Sequence, residues 1–405
     1  MEQHIKIAII TTGGTISSLS SSNGIKPAEG VINRILREQL GYSSELISKD
    51  HKIKIEIVPL LNKDSTNINA EDQLKIAEKA FNLFKSKDAI IVTHGTDTLS
   101  FTSSMLAISL SYLKKPLIIT GSMKTIEQEN TDAIKNLSDA ITFAKAGIGG
   151  VFVVFHGKVI PGQWAYETEN QGNMTFSSIK EEIAHIQNNE IKYITPINNQ
   201  FILLKPFIET RYDSNIGTIV LSPNENTEQL VALAEKNKAI ILLSYGSVGI
   251  PSNYTQIISD ISKVIPVILS SQIPSVHINK GEYEINKMAD DAGVIHGIGL
   301  YSFDYNNTAN VLGIIQSSDK REAYLRKFMQ AFENNKNRML NLEYHRTTIN
   351  GTASSTIKHG NSDINSFPER SAFMESTLIP IKRSMDLFTT NNRKNSRSKT
   401  RVQNT

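Results

Sequence analysis

The sequence of 405 residues contains no cysteine. Disulfides, thiolate metal sites and thiol nucleophiles are thereby excluded. It also lacks an excess of charge: 43 basic residues stand against 40 acidic ones, a formal net charge of +3. That balance gives no reason to expect nucleic acid or a membrane as partner. No apolar run approaches the roughly 20 residues a membrane span needs. A secretory leader is not evident. Met1-Glu2-Gln3-His4 passes straight into Ile5-Lys6-Ile7-Ala8-Ile9-Ile10, which has the length of a strand rather than of a leader's apolar core. The expected location is the cytoplasm. Tryptophan occurs once, as Trp164, and reads as a packing residue of the connector between domains.

What is present is the composition of a soluble globular protein, 39% hydrophobic and 20% charged. The length exceeds what one core usually supports, so two domains are expected. Apolar runs at 5–10, 53–58, 89–93, 117–120 and 151–155 read as strands. Between them, 70–84 has helical spacing, with Leu74, Ala77, Phe81 and Phe84 behind an Asn69/Asp72 capping pair. Segments 98–113 and 131–146 also read as helices. Such alternation implies βαβ units and a parallel sheet covered on both faces. The pattern pauses over 156–215, broken by Pro161, Gly162, Pro196 and Pro206. It resumes with strands at 219–221, 239–244 and 266–269 and helices near 227–237, 254–263, 308–316 and 319–334.

The expected fold class is α/β. A larger N-terminal domain (1–205) has a mainly parallel sheet flanked by helices. A linker (206–215) leads to a smaller C-terminal α/β domain (216–340). Residues 341–405 are rich in Ser, Thr, Asn, Lys and Arg, and the stretch Arg393–Arg401 holds five basic residues and no acidic one. A segment of that composition buries too little apolar surface to offset its ordering entropy, so a disordered tail is expected.

Two short segments carry chemistry. Thr11-Thr12-Gly13-Gly14-Thr15 follows the first strand, and ligands of open parallel sheets bind beyond the carboxyl ends of strands. Glycines there let backbone N–H groups approach a ligand, and a threonine hydroxyl attacks a carbonyl once a neighbour takes its proton. A tight turn with a structural hydroxyl is the plainer alternative. The spacing fits neither G-x-G-x-x-G nor the Walker pattern. His94-Gly95-Thr96-Asp97-Thr98 follows the strand at 89–93. Asp97 at a helix start is an anion able to hold an ammonium group, although Thr96 and Asp97 alone also read as helix caps. His94 reads as a positioned structural imidazole, and His156 and His296 lack metal-ligand spacing. Asp290 and Asp291 read as a solvated helix end.

Together, T-G-G-T-I after strand one and T-H-G-T-D-T after strand three resemble the two signatures of the bacterial-type L-asparaginase/glutaminase family. The likeness covers roughly 4–335 and includes Asp64-Ser65-Thr66-Asn67, Thr120-Gly121-Ser122-Met123, Asp132 with Asn136-Leu137, Ser244-Tyr245-Gly246 and Ala292-Gly293-Val294-Ile295. The resemblance implies an amidohydrolase in which Thr15 attacks the side-chain amide of L-asparagine, with L-glutamine as a further substrate. Thr96 would relay protons, and Asp97 would bind the α-ammonium. Ser65, with Thr66 beside it, would meet the α-carboxylate. Backbone N–H groups around Gly14 and Thr96 would hold the oxyanion. No metal or organic cofactor is implied, and a homodimer or homotetramer is.

Three positions depart from the family pattern. Ile25, in Gly24-Ile25-Lys26-Pro27, stands where the family has a tyrosine. Glu167, five residues after Gly162, stands where it has the lysine that partners Thr96 and Asp97. A carboxylate there would meet like-charge repulsion from Asp97, yet in its ionised form would still serve as a general base. Lys158 or Lys180 is an alternative source of the missing ammonium. Ile250, in Gly246-Ser247-Val248-Gly249-Ile250, stands where an asparagine would reach a substrate across a subunit interface. An asparaginase with reduced activity is the first reading. A degenerate homologue that binds an amino acid or a protein partner is the second. A subunit that feeds ammonia to mischarged tRNA is the third, disfavoured by a chain that begins directly with strand one.

Overall fold

In a computed structural model of the chain, the described residues are 4–22, 24–50, 52–111, 113–169, 175–179, 182–194, 206–210, 212–224, 227–265, 267–273 and 284–296. The expected helices at 308–316 and 319–334, the tail and Lys180 lie outside them. One compact unit runs to Ser214 and a second begins at Asn215.

The first unit starts with β1 (Ile5–Gly13), an antiparallel pair β2 (Ser18–Ser21) and β3 (Gly24–Pro27), and α1 (Val31–Arg34), which continues as a π-helical turn over Ile35–Gln39. Then come β4 (Ile53–Lys63), α2 (Ala70–Leu83), β5 (Ala89–Thr93), α3 (Leu99–Ser109), β6 (Leu110–Ser111), β7 (Pro116–Thr120), α4 (Ala133–Ala144) and β8 (Gly150–Phe155). The chain turns back through β9 (Lys158–Pro161), β10 (Ala165–Glu167), β11 (Phe176–Ser178), β12 (Ala184–Gln187), β13 (Glu190–Tyr193) and β14 (Phe207–Ile208).

The main sheet has the order β13-β12-β9-β8-β7-β5-β1-β4. From β4 to β8 it is parallel, as the apolar runs imply. β5 and β7 are buried at every residue, because helices cover both faces. Alternate residues of β1 serve opposite faces: Ile7 and Ile9 join one core with residues of α1 and α4, while Ala8 and Ile10 join the other with α2 and α3. The capping pair forms, with Asp72 N–H donating to Asn69 Oδ1 at 3.0 Å and Asn69 N–H to Asp72 Oδ2 at 3.2 Å. Caps of this kind contribute about 1 kcal/mol.

Parallel pairing stops at β8. The turn to β9 is two residues, His156 (φ 46°) and Gly157 (φ 78°), and a connection that short joins only antiparallel neighbours. Segment 156–215, read as a pause in the pattern, therefore supplies three more strands of the main sheet, β9, β12 and β13. Residues 206–215 also differ from a bare linker: β14 pairs with β6, which ends the predicted helix 98–113 at Ser109.

In the second unit, β15 (Ile216–Val220), β16 (Ala239–Ser244), β17 (Val267–Ser271) and β18 (Ile295–His296) make a parallel four-stranded sheet. The helices α5 (Thr227–Lys236), α6 (Thr255–Ser262) and α7 (Glu284–Asp291) add Leu230, Ile258 and Ala289 to its core. Asp290 and Asp291 are exposed at the end of α7, as expected. Ile250 is 1% exposed within that core. Its apolar side chain is taken up by packing inside its own unit.

Candidate active site

Counted along the chain, the first five strands lie in the order 2-1-3-4-5, with β1 between β4 and β5. The topological switch point falls between β1 and β5, and the crevice of such a sheet opens at their carboxyl ends. The two chemical segments occupy those ends. Thr15 opens a single 3-10 turn, Thr15–Ser17, after β1, and Thr96 opens another, Thr96–Thr98, after β5.

The two segments touch backbone to backbone. Gly14 has φ 71° and ψ 174°, a conformation essentially reserved for glycine. A Cβ on it would fall 2.3 Å from the Gly95 nitrogen, and a Cβ on Gly95 would fall 2.6 Å from Ser65 Oγ. Three turns, after β1, β4 and β5, thus meet with no room for a side chain between them.

Hydrogen bonds tie the same turns. Ser65, 2% exposed, donates from Oγ to Asp97 Oδ2 at 3.0 Å, and Thr98 Oγ1 donates to the Ser65 carbonyl at 2.8 Å. Neither Thr96 nor Asp97 caps a helix by its side chain, so the capping reading fails and the Asp97 carboxylate faces Ser65 instead. Thr66 is turned away. Its N–H and hydroxyl both donate to Asp64 Oδ1, at 2.9 and 2.7 Å, and hold the Asp64 carboxyl below its usual range. The Gly14 N–H is also engaged, donating to the Lys63 carbonyl at 3.1 Å. The first two amides of each 3-10 turn, those of Thr15 and Ile16 and of Thr96 and Asp97, lack an intrahelical acceptor.

His94 is fully buried under this floor. Its Nδ1–H donates to the Gly95 carbonyl at 2.7 Å, and Nε2 accepts from Thr102 Oγ1 at 2.9 Å. Gln73 Nε2 in turn donates to Thr102 Oγ1 at 3.3 Å. Burial pushes the imidazole pKa down to about 4, against the opposing pull of the Gly95 bond and Asp97. It is therefore a neutral support, as the sequence suggested. Spacing gave no warning of Gln73 and Thr102.

A further support, unseen in the sequence beyond its spacing, holds the loop after β7. Asp132 accepts from the N–H groups of Met123 at 2.9 Å and Lys124 at 3.0 Å. Asn136 Nδ2 donates to the Gly121 carbonyl at 3.0 Å, while its Oδ1 accepts from His156 N–H at 2.9 Å.

Glu167 ends β10. The preceding turn, Gly162–Trp164, is fixed on α3 by Ser103 Oγ, which donates to the Gly162 carbonyl at 2.9 Å. Burial raises the Glu167 carboxyl pKa, and the nearby Asp97 carboxylate raises it further. Among the described residues no lysine or arginine forms an ion pair with it. Lys158 is held elsewhere, 3.4 Å from Glu182 and 3.3 Å from the Phe176 carbonyl, so it does not replace the missing ammonium. Ile25 lies on β3, opposite Ser20, and is 50% exposed.

A family model described as Asparaginase, N-terminal, matches residues 6–199. The L-asparaginase of Thermococcus kodakarensis is 33% identical over 297 residues, covering 72% of this chain and 87% of that protein. The chain belongs to the asparaginase family. The solved structure of the thermostable L-asparaginase from the same organism superposes with a TM-score of 0.71 at 29% identity, over 79% of this chain and 96% of that one. L-asparaginase 1 of Escherichia coli K12 is similar at a lower level, 28% identical over 74% of this chain and 88% of that protein. Among the described residues no cluster of three His, Asp or Glu could hold a metal, and no helix is long and apolar enough to cross a membrane.

Proposed function

We propose that the chain hydrolyses L-asparagine to L-aspartate and ammonia, with Thr15 as nucleophile. One observation carries this reading: the turns bearing Thr15, Ser65 and Asp97 are locked together, with Ser65 Oγ 3.0 Å from Asp97 Oδ2. A hydroxyl and a carboxylate at that separation suit the adjacent carboxylate and ammonium of an α-amino acid. Asp97 takes the ammonium and Ser65 the carboxylate, which leaves the side-chain amide for Thr15.

Thr15 Oγ attacks the amide carbonyl carbon. The amides of Thr15 and Thr96 face the developing oxyanion, a contribution worth about 3 kcal/mol per donor in comparable sites. The hydroxyl proton passes through Thr96 to the departing nitrogen, which leaves as ammonia. Water then cleaves the threonyl ester, releasing L-aspartate and restoring the hydroxyl. Glu167 takes part as its carboxylate, a general base in place of an ammonium. Location in the cytoplasm and assembly into a homodimer or homotetramer belong to the same proposal.

Ammonia release from L-asparagine and L-glutamine, by wild type and Thr15→Ala, tests it. The expected result is release by wild type and a loss of roughly 10³-fold or more in the variant. A wild type that binds the amino acid without releasing ammonia would establish the second reading, a binding protein on the same fold. The departures at Ile25 and Glu167 favour that reading.

A further inference from the structure

The main sheet ends differently at its two edges. β4, at one edge, is guarded. Ile47 bridges to Lys54, and Ile55 N–H donates to the Leu46 carbonyl at 2.9 Å, so Ile55 turns its backbone groups away from β1. Ile57 and Pro59 follow in the same phase, and Pro59 has no N–H to offer another strand. β13, at the other edge, lacks these devices. Asn188 (φ 54°) and Asn189 (φ 61°) form a two-residue turn that closes on Gln187↔Glu190. Past Lys192, Ile194 N–H donates to the Ile183 carbonyl at 3.0 Å. Residues 190, 192 and 194 thus turn their backbone groups to β12. Ile191 and Tyr193 turn theirs outward, and among the described residues no strand pairs with them.

Side chains add to this open edge. Ile191 packs against the first core, while Tyr193 and Ile194 are 49% and 46% exposed. Glu190 and Lys192 are exposed on the face opposite Ile191. These charges decide which strand fits. A second β13 running antiparallel must set outward-turned residues against outward-turned residues. Centred on Ile191, it places Glu190 opposite Lys192 of the copy, and does so twice. Moving the centre one residue either way sets Glu190 against Glu190 or Lys192 against Lys192, and like charges directly opposed are destabilising. An edge lysine ordinarily repels a further strand. In this register the copy supplies its counter-ion.

We propose that two copies of the chain join edge to edge through β13, antiparallel and centred on Ile191, so that the main sheet runs on from one protomer into the other. Ile191 of each copy donates its N–H to the Ile191 carbonyl of the other, and Glu190 meets Lys192 across the seam on both sides. Four residues from each copy make a short seam, so the association is weak. It deepens the homo-oligomer proposed above by giving it a surface, and it is independent of amide cleavage by Thr15.

The chain has no cysteine, so introduced thiols are the only ones present. Directly opposed residues of an antiparallel pair lie within disulfide reach, whereas Glu190 and its own copy lie a diagonal step apart, beyond it. Glu190→Cys and Lys192→Cys are therefore made separately in the full chain, and mild oxidation of their mixture is compared with oxidation of each alone. The mixture is expected to form a covalent dimer severalfold faster than either variant by itself. In sedimentation, Glu190→Lys is expected to weaken self-association roughly tenfold, and adding Lys192→Glu to restore it. Both positions are exposed, so the variants keep the fold. The proposal is overturned if the mixture cross-links no faster than a variant alone, if Glu190→Lys leaves self-association unchanged, or if the double variant associates no better than Glu190→Lys. None of these outcomes depends on whether Thr15 hydrolyses an amide.

Discussion

The two sides of the crevice are held by different physics. On one side, the turns after β1, β4 and β5 meet through Gly14, Ser65 and Gly95 with no space for an added atom. On the other, Glu167 is half-buried beside Asp97 without a cationic partner among the described residues. Under the proposed function the locked side binds the amino acid and places Thr15, and the other moves protons. The interlocked backbone and the Glu167 side chain can be perturbed separately.

The largest effect should come from Gly14→Ala. The new methyl would fall 2.3 Å from the Gly95 nitrogen, on a backbone at φ 71° that alanine rarely adopts. A loss of about 3–5 kcal/mol in urea unfolding is expected. An unchanged midpoint would show that the turns are not interlocked.

His94 supports the same side, and its effect should depend on pH. Its folded pKa, about 4, lies below the ordinary 6.5. A depressed value means stability that is present above pH 6.5 and is lost as pH falls towards 4, on the order of 2–3 kcal/mol. The advantage of wild type over His94→Gln should therefore shrink between pH 7 and pH 4.5. A constant gap would mean that the imidazole is not buried as a neutral ring.

Ser65→Ala removes the hydroxyl assigned to the α-carboxylate. KM for L-asparagine should rise about tenfold, near 1.4 kcal/mol, with kcat less affected. A fall in kcat alone would move Ser65 from the binding side to the proton-moving side.

The smallest effect belongs to Glu167→Gln. Burial and Asp97 raise the Glu167 pKa, so this group favours folding below its ordinary range and loses that contribution as pH rises through the raised value. At pH 7 the carboxylate is a penalty, screened by solvent to less than about 1 kcal/mol. The amide should raise Tm slightly at pH 7 and not at pH 4. The same gain at both would assign it to packing.

Sequence alone made the parallel half of the fold legible, because strands buried on both faces read as unbroken apolar runs such as Ala89–Thr93 and Pro116–Thr120. The strand order was not legible, since it depends on which long-range pairs form. The antiparallel extension was missed for another reason: β9, β12 and β13 are four residues each; β12 and β13 are polar on alternate positions, and β9 has only Val159 and Ile160 between Lys158 and Pro161. The two glycine-containing signatures announced the crevice. Their contact could be inferred only by analogy, because it is made by backbone atoms that no residue pattern names. Ile250, an apolar residue within a glycine-rich turn, packs in the core of the second unit.

The central claim is that the crevice is a whole amino-acid site whose proton relay is handicapped at one position. Ammonia release from L-asparagine by Glu167→Lys, relative to wild type, addresses it most directly. The account predicts a rise in kcat/KM of roughly tenfold or more, because an ammonium beside Asp97 replaces a repelled carboxylate. An unchanged or lower value would contradict it.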